Sequence, residues 1–250
     1  MDKFSCIISY KHNIQRWDNL KRVLDWLNGF SGIEIILVEQ DKHSKIAHLK
    51  LPVKHIFAKT NMPFNKSWGF NIGLKYVNNP IVVFTDCDLI MDPNLFIKGL
   101  KLLEEYDMVS PYNSVVDLNQ NENNLPIDSI LRISRPGRGE TDIQKVPLCG
   151  GVCIFRRESI MKIAGWNEDF WSWGGEDDFQ AIKVKNLLKW YEQPGRCYHL
   201  YHDREAPDMK LYQRNLQLLQ SLSKFTKDEL IKHISSTVQK IGMKNKCDNF

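Results

Sequence analysis

Three short runs of polar residues in this 250-residue chain have types and spacings that can do chemistry. Asp86-Cys87-Asp88 closes an apolar, β-forming run, Ile81 to Thr85. Two carboxylates at i and i+2 of a strand end can share a divalent cation with a diphosphate, and hard oxygen ligands suit Mg²⁺ or Mn²⁺. Such a cation would neutralise charge building on a leaving nucleotide diphosphate, which is Lewis-acid work. On these residues alone the pair could equally open a turn ahead of Asp92. His199-Leu200-Tyr201-His202 offers two imidazoles that address one ion if the backbone turns between them. They could also be half-exposed histidines of an aromatic strand, or hold zinc together with Asp203. The third run is Trp171-Ser172-Trp173-Gly174-Gly175-Glu176-Asp177-Asp178. Acids in the first turn of a helix are stabilising. Three of them behind two glycines and two tryptophans exceed what a cap needs. The glycines admit a ligand to the backbone, and tryptophan offers a flat apolar face to a sugar ring. A carboxylate at a helix N-terminus is expected to have a depressed pKa and to stay ionised as a base.

These runs need elements to position them. Phe4 to Tyr10 reads as a buried strand, and Trp17, Leu20, Leu24 and Leu27 recur at helical spacing before a stop at Gly29. Ile33 to Val38 and Val53 to Phe57 read as strands, Asn65 to Val77 as a helix, and Ile81 to Thr85 as the strongest strand. Asp92-Pro93 suits the cap and first residue of a helix through Glu105. The alternation predicts an α/β fold, a Rossmann-like, mostly parallel central sheet flanked by helices. Ligands in such sheets bind beyond the carboxyl ends of the strands. Tyr10-Lys11-His12-Asn13, Glu39-Gln40-Asp41 and Asp86-Cys87-Asp88 should gather there. Val115 to Val146, with its Asn/Gln-rich stretch Asn119 to Asn124 and Arg135 to Gly139, reads as a long surface insertion. Leu148 to Phe155 returns to strand. Arg157 to Ala164 suits a helix closed by Gly165, and Asp177 to Leu188 another. From Leu211 the pattern is helical and ends in a basic tail with Lys240, Lys244 and Lys246. The expected organisation is one catalytic domain over 1–210, with a nucleotide-binding half (1–110) and an acceptor and metal half (111–210). Residues 211–250 are expected to form a helical extension.

Composition excludes whole classes. At 42% hydrophobic the chain can build a core, so disorder is out. Lys plus Arg number 34 against 30 acids, a net charge of +4. That does not make a nucleic-acid binder, but it suits a polyanionic small ligand or a loose encounter with an acidic membrane face. The six cysteines form no Cys-x-x-Cys pair, which argues against zinc ribbons and thioredoxin-like sites. Cys6, Cys87, Cys149 and Cys153 lie among apolar residues and read as buried small hydrophobes. Met1-Asp2-Lys3 leads straight into a strand with no secretory apolar region. The apolar runs fall short of the roughly 20 residues of a membrane span. A cytoplasmic protein in a reducing compartment is expected, its tail solvated or touching the inner membrane face.

Four blocks resemble the β-1,4-galactosyltransferases and their wider relatives, which share the nucleotide-sugar-binding GT-A fold. They are Phe64-Asn65-Lys66 with Asn71-Ile72-Gly73; Val83 to Ile90; Gly150-Gly151-Val152 with Trp173 to Asp178; and Gly195-Arg196-Cys197 with His202. The resemblance spans roughly residues 4 to 205. It implies a metal-dependent, inverting glycosyltransferase moving galactose or N-acetylgalactosamine from a UDP-sugar to a hydroxyl of a glycan or lipid-linked sugar. Asp88 and His202 would hold Mn²⁺ or Mg²⁺, with His199 where vertebrate members place a methionine ligand. Asp177 matches the general base. Tyr10, Lys11, Glu39, Phe64, Lys66, Asp86, Leu148, Gly151, Trp173 and Glu176 would bind the donor, and Asp178 and Trp171 the acceptor. Lys66 replaces the usual Arg, keeping charge but losing the bidentate fork. Asn13 replaces another family Arg, and Ser172 stands where Gly is usual. Leu148 falls where galactose-specific members carry Tyr, and the smaller side chain leaves room for an N-acetyl group. Asp203 to Arg214 resembles the family's acceptor-covering lid. The alternatives are a GT-A transferase of the chondroitin-polymerase or polypeptide-GalNAc type, a nucleotidyltransferase, or a non-catalytic nucleotide-sugar-binding module.

Overall fold

A computed structural model describes residues 3–141, 145–203 and 206–243. The first half runs β1 (Phe4–Tyr10), α1 (Ile14–Asn28), β2 (Ile33–Asp41), β3 (Lys54–Lys59), α2 (Lys66–Leu74), β4 (Ile81–Thr85), β5 (Leu89–Met91) and α3 (Pro93–Leu102). The second runs β6 (Met108–Ser110), β7 (Ser114–Asp117), α4 (Ile127–Ile130), β8 (Cys153–Arg156), α5 (Arg157–Lys162), α6 (Glu176–Leu187), β9 (Trp190–Glu192), β10 (Arg196–His199), α7 (Met209–Leu222) and α8 (Lys227–Thr237).

A seven-stranded sheet has the order β3-β2-β1-β4-β8-β6-β9. β3, β2, β1 and β4 are parallel, and β8 is antiparallel to both its neighbours. β1 is buried along its whole length, as a central strand covered on both faces must be. Its side chains alternate between two cores. Phe4, Cys6, Ile8 and Tyr10 face the one that α1 and α3 cover, and Ile7 faces the other, with Trp68, Phe84, Phe155 and Trp166. α2 comes so close to β1 that a Cβ on Gly73 would meet Ile7 Cγ2 at 2.4 Å. The last helices join the second core through Leu222, Leu230 and Ile234. Among the described residues no helix is long and apolar enough to cross a membrane.

A second, three-stranded sheet, β5-β10-β7, stands at the carboxyl edge of β4. β10 runs antiparallel to β5, with His199 opposite Leu89, and parallel to β7, with His199 opposite Asp117.

The long elements fall where the sequence puts them, and the differences have physical causes. Val115 to Val146 is not a mere surface insertion: Val115 and Val116 form part of β7, and Leu118 and Ile130 are buried. Its polar composition hides a strand of four residues that pairs with a strand some eighty residues away. Leu148 to Phe155 is a strand only from Cys153, because Gly151 takes a φ of 82° and turns the chain first. α3 ends at Leu102, and Gly165, at φ 57°, follows α5. The C-terminal helical pattern is two helices, broken ahead of Thr226, which forms a capping box with Glu229. The segment expected as a lid is helical from Met209. Lys244 and Lys246 lie outside the described residues. Five cysteines, Cys197 included, are buried and unbridged.

Candidate active site

The register of the small sheet brings the carboxylate and the imidazoles together. β4 delivers Asp86-Cys87-Asp88 to the sheet edge, and β5 then pairs with β10, so Leu200 N–H donates to the Asp88 carbonyl at 2.8 Å. His202 Nε2 lies 3.4 Å from Asp88 Oδ2, and His199 Nε2 lies 3.8 Å from Asp88 Oδ1. One ligand atom from each residue falls within 4.8 Å of the others, a set that could hold a metal ion.

The far side of each imidazole is also held. His202 Nδ1 lies 2.9 Å from the Asp203 carbonyl oxygen. A carbonyl only accepts, so Nδ1 carries the proton and Nε2 faces Asp88. His199 Nδ1 lies 3.2 Å from Asp117 Oδ1, and Arg138 pairs with Asp117, its Nη2 donating to Oδ1 at 3.0 Å. Metal-binding histidines are oriented in this way by their outer hydrogen bonds. Burial disfavours the Asp88 carboxylate, but His199 and His202 outweigh it and hold the pKa at about 2. The hydrogen bond to Asp88 raises the pKa of His202. Asp117 is also held at about 2, burial being outweighed by His199 and Arg138. Asp117 and Arg138 were not expected here: β7 was hidden in a stretch that read as insertion.

Beside this cluster a lysine bridges two carboxylates. Asn65 caps α2, accepting from Trp68 N–H. Gln40 on β2 anchors Asn65, donating to its carbonyl at 2.8 Å and accepting from its N–H at 3.0 Å. Lys66, the first residue of α2, thereby points its Nζ to within 2.9 Å of Asp177 and 3.2 Å of Asp86. Burial opposes the Lys66 charge, but Asp177, Asp86 and Glu176 together push its pKa well above the ordinary value. The expected depression of Asp177 is corrected. Burial raises its pKa to about 8, Lys66 pulling down and Glu176 and Asp86 pushing up. Enclosure outweighs the helix terminus, and Glu176 is raised mainly by burial as well. Glu176 Oε2 has no hydrogen-bond partner, and neither amide atom of the buried Gln180, one turn further along α6, has one.

The other expected residues divide. Asp86 keeps 32% of its side chain exposed, and Phe64 is half-buried, its carbonyl accepting from Ser172 N–H at 2.8 Å. Ser172 has a φ of 62°, a conformation that glycine adopts more readily. Trp173 is 62% exposed and stacks on Tyr212 of α7, with ring centroids 5.2 Å apart. Trp171 is buried, and its carbonyl accepts from Asn215 Nδ2. Tyr10 is buried with its hydroxyl 3.1 Å from His12 Nδ1, and Lys11 is half-buried. Gly151 sits between two bonds of Tyr112, whose hydroxyl donates to the Gly150 carbonyl and accepts from Val152 N–H. Leu148 packs in the second core, and Asp178 is exposed. Glu39 stands apart: it is fully buried, its oxygens taken up by Ser44 Oγ, Lys45 N–H and His55 Nε2.

Two family models match. Glycosyl transferase family 2 covers residues 5–164, and a model described as the N-terminal domain of galactosyltransferase covers residues 141–203. Mouse β-1,4-galactosyltransferase 4 is 29% identical over 84 residues, 32% of this chain and 24% of that protein. The chain thus spans about a quarter of the length of the curated relatives it matches. In fold it resembles the catalytic domain of Drosophila β1,4-galactosyltransferase 7 in complex with xylobiose. The TM-score is 0.54 at 14% identity, covering 90% of this chain and 82% of that one. It also resembles GalNAc-T7 with UDP, GalNAc and Mn²⁺, with a TM-score of 0.62 at 14% identity, covering 100% of this chain and 57% of that one.

Proposed function

Because the chain belongs to glycosyl transferase family 2, we propose that it is a metal-dependent, inverting glycosyltransferase acting on a UDP-sugar. The observation that carries this reading is the meeting of Asp88, His199 and His202 within one ligand-sized cluster, next to a lysine shared by Asp86 and Asp177. One carboxylate and two imidazoles fit a divalent transition ion, and the two nitrogens favour Mn²⁺ over Mg²⁺. The relative GalNAc-T7 was solved with Mn²⁺. When bound, the ion would supply charge neutralisation to the donor's diphosphate.

The chain's own residues do the rest. Lys66 brings a cation to the edge where the diphosphate would lie, and Lys11, Phe64, Asp86 and Gly151 line the approach for the nucleotide. Asp177 accepts the proton of an acceptor hydroxyl as its oxygen bonds to the anomeric carbon and the bond to the departing UDP breaks on the opposite face. An α-linked donor then yields a β-linked product. A carboxyl poised near neutrality is matched to this duty. Glu176, with an unpartnered oxygen, hydrogen-bonds sugar hydroxyls, Trp173 closes over the donor, and Asp178 meets the acceptor, the buried Trp171 anchoring the turn before it through Asn215. The transferred sugar is galactose or N-acetylgalactosamine. The acceptor is a glycan or lipid-linked hydroxyl.

The test is Asp177→Asn. It is expected to bind UDP-sugar as the parent does by calorimetry, while transfer to a sugar acceptor falls by about 10²–10⁴-fold. Undiminished transfer would refute the base assignment. Release of UDP only in the presence of divalent metal checks the reaction class independently.

A further inference from the structure

The segment that carries His202 is gripped by side chains remote in sequence, and one belongs to the Asn/Gln-rich stretch that the proposed chemistry leaves unused. Asn19 on α1 is fully buried. Its Nδ2 donates to the Tyr201 carbonyl at 3.0 Å, and its Oδ1 accepts from Asn123 Nδ2 at 3.0 Å. Asn123 Oδ1 in turn accepts from Tyr201 N–H at 2.8 Å. Both backbone polar groups of Tyr201 are therefore held. Gln15, one turn earlier on α1, does the same for Asp203: its Oε1 accepts the backbone N–H at 2.6 Å, and its Nε2 donates to Oδ2 at 2.7 Å. The Asp203 carbonyl is the group that accepts from His202 Nδ1.

We propose that Asn19, Asn123 and Gln15 are positioning residues for His202, holding its imidazole in the place and tautomer that metal binding needs. The inference rests on the metal site proposed above. Residues 200–203 lie outside any helix or strand, so without these bonds the segment would have to be ordered when the ion binds, at a loss of affinity. Backbone N–H groups only donate and carbonyls only accept, so the bonds to Tyr201 fix how both asparagine amides are turned. Amides suit the task because they are uncharged. A carboxylate in their place would compete for the ion or repel Asp203.

The experiment measures Mn²⁺ binding to the donor-free protein by electron paramagnetic resonance, with melting temperature followed alongside. In Asn123→Ala the Mn²⁺ dissociation constant is expected to rise, by at most the about 10–100-fold that follows loss of a hydrogen bond to a metal-binding side chain itself. Asn123→Asp keeps the acceptor for Tyr201 N–H and is expected to fall between the two. Gln15→Glu is a surface change that leaves the core intact, and it should weaken Mn²⁺ binding even if Asn123→Ala unfolds. The imidazole ¹⁵N signals should show His202 losing the hydrogen bond at Nδ1 in the weakened variants. Unchanged Mn²⁺ affinity and Nδ1 hydrogen bond in folded Asn123→Ala and Gln15→Glu would overturn the proposal while leaving the metal site standing. No Mn²⁺ binding by the parent protein would overturn the metal site, and this proposal with it.

Discussion

Asp177 and Lys66 set the protonation of the candidate site. Lys66 Nζ lies 2.9 Å from Asp177, and burial lifts that carboxyl to about 8. In the donor-free chain the base is therefore protonated through the neutral range and ionises only as pH climbs. The expected pH profile of kcat/KM rises with pH, with a midpoint near 8, because kcat/KM reports groups of the free enzyme. Replacing the cation with Lys66→Met removes what favours the carboxylate, so the midpoint should move to higher pH. A profile flat across the range would remove Asp177 from the role of base. The same shift has a consequence for stability with a definite sign. The folded pKa lies above the ordinary 3.8, so the unfolded chain loses this proton first. Whatever Asp177 contributes is full below about 4 and declines as pH rises toward 8. Asp177→Asn should lack that part of the decline, which melting curves across the range would detect. Residue types were the most legible level of the sequence, but their ionisation was not. The spacing of Glu176, Asp177 and Asp178 tells of a helix terminus, whereas the burial that reverses the sign exists only in the folded site, and the cation that opposes it, Lys66, lies about a hundred residues earlier.

At the scale of elements, α6 enters the site through Gly175, its N-terminal flanking residue, with φ at 91° and no side-chain cap. A Cβ there would lie 2.7 Å from Phe170 Cε1. Gly175→Ala is thus strained twice, in its backbone and against the ring. It is expected to destabilise the protein by about 1–3 kcal/mol in urea denaturation. Transfer should fall by more than the folded fraction does, since Glu176 and Asp177 are the next two residues and would be re-aimed. Equal losses of stability and transfer would mean that the turn serves folding alone. Element length also decides what a sequence reveals. β1, α1, α2 and β4 were legible because their five to fifteen residues carry a helical period or an unbroken apolar run. β5, β7 and β10 have three or four residues each, too few for a period, and they pair across long separations. The small sheet was hidden for that reason, and with it Asp117, whose place beside His199 is fixed only by the β7–β10 register.

Taken as a whole, the molecule is two sheets whose junction holds the cluster. Asp88 stands at the carboxyl edge of the large sheet, His199 in the small one, and His202 on the segment that α1 grips. The types of these three residues and their order were readable from the sequence; their convergence needed the pairing of Leu89 with His199. An ion held between such distant parts should stabilise all of them together, because the unfolded chain cannot assemble the set. At a Mn²⁺ concentration about 100 times its dissociation constant, binding should add about 2.7 kcal/mol to unfolding. A rise in melting temperature on adding Mn²⁺, reversed by EDTA, is the expected observation. Asp88→Asn should abolish the rise because it removes the carboxylate shared by both imidazoles, whereas Asp178→Asn, a change at an exposed residue outside the cluster, should leave it intact. A rise that survives Asp88→Asn would move the ion elsewhere in the chain. A rise lost in both variants would point to general acidic attraction, because a ligated ion depends on which carboxylate is removed.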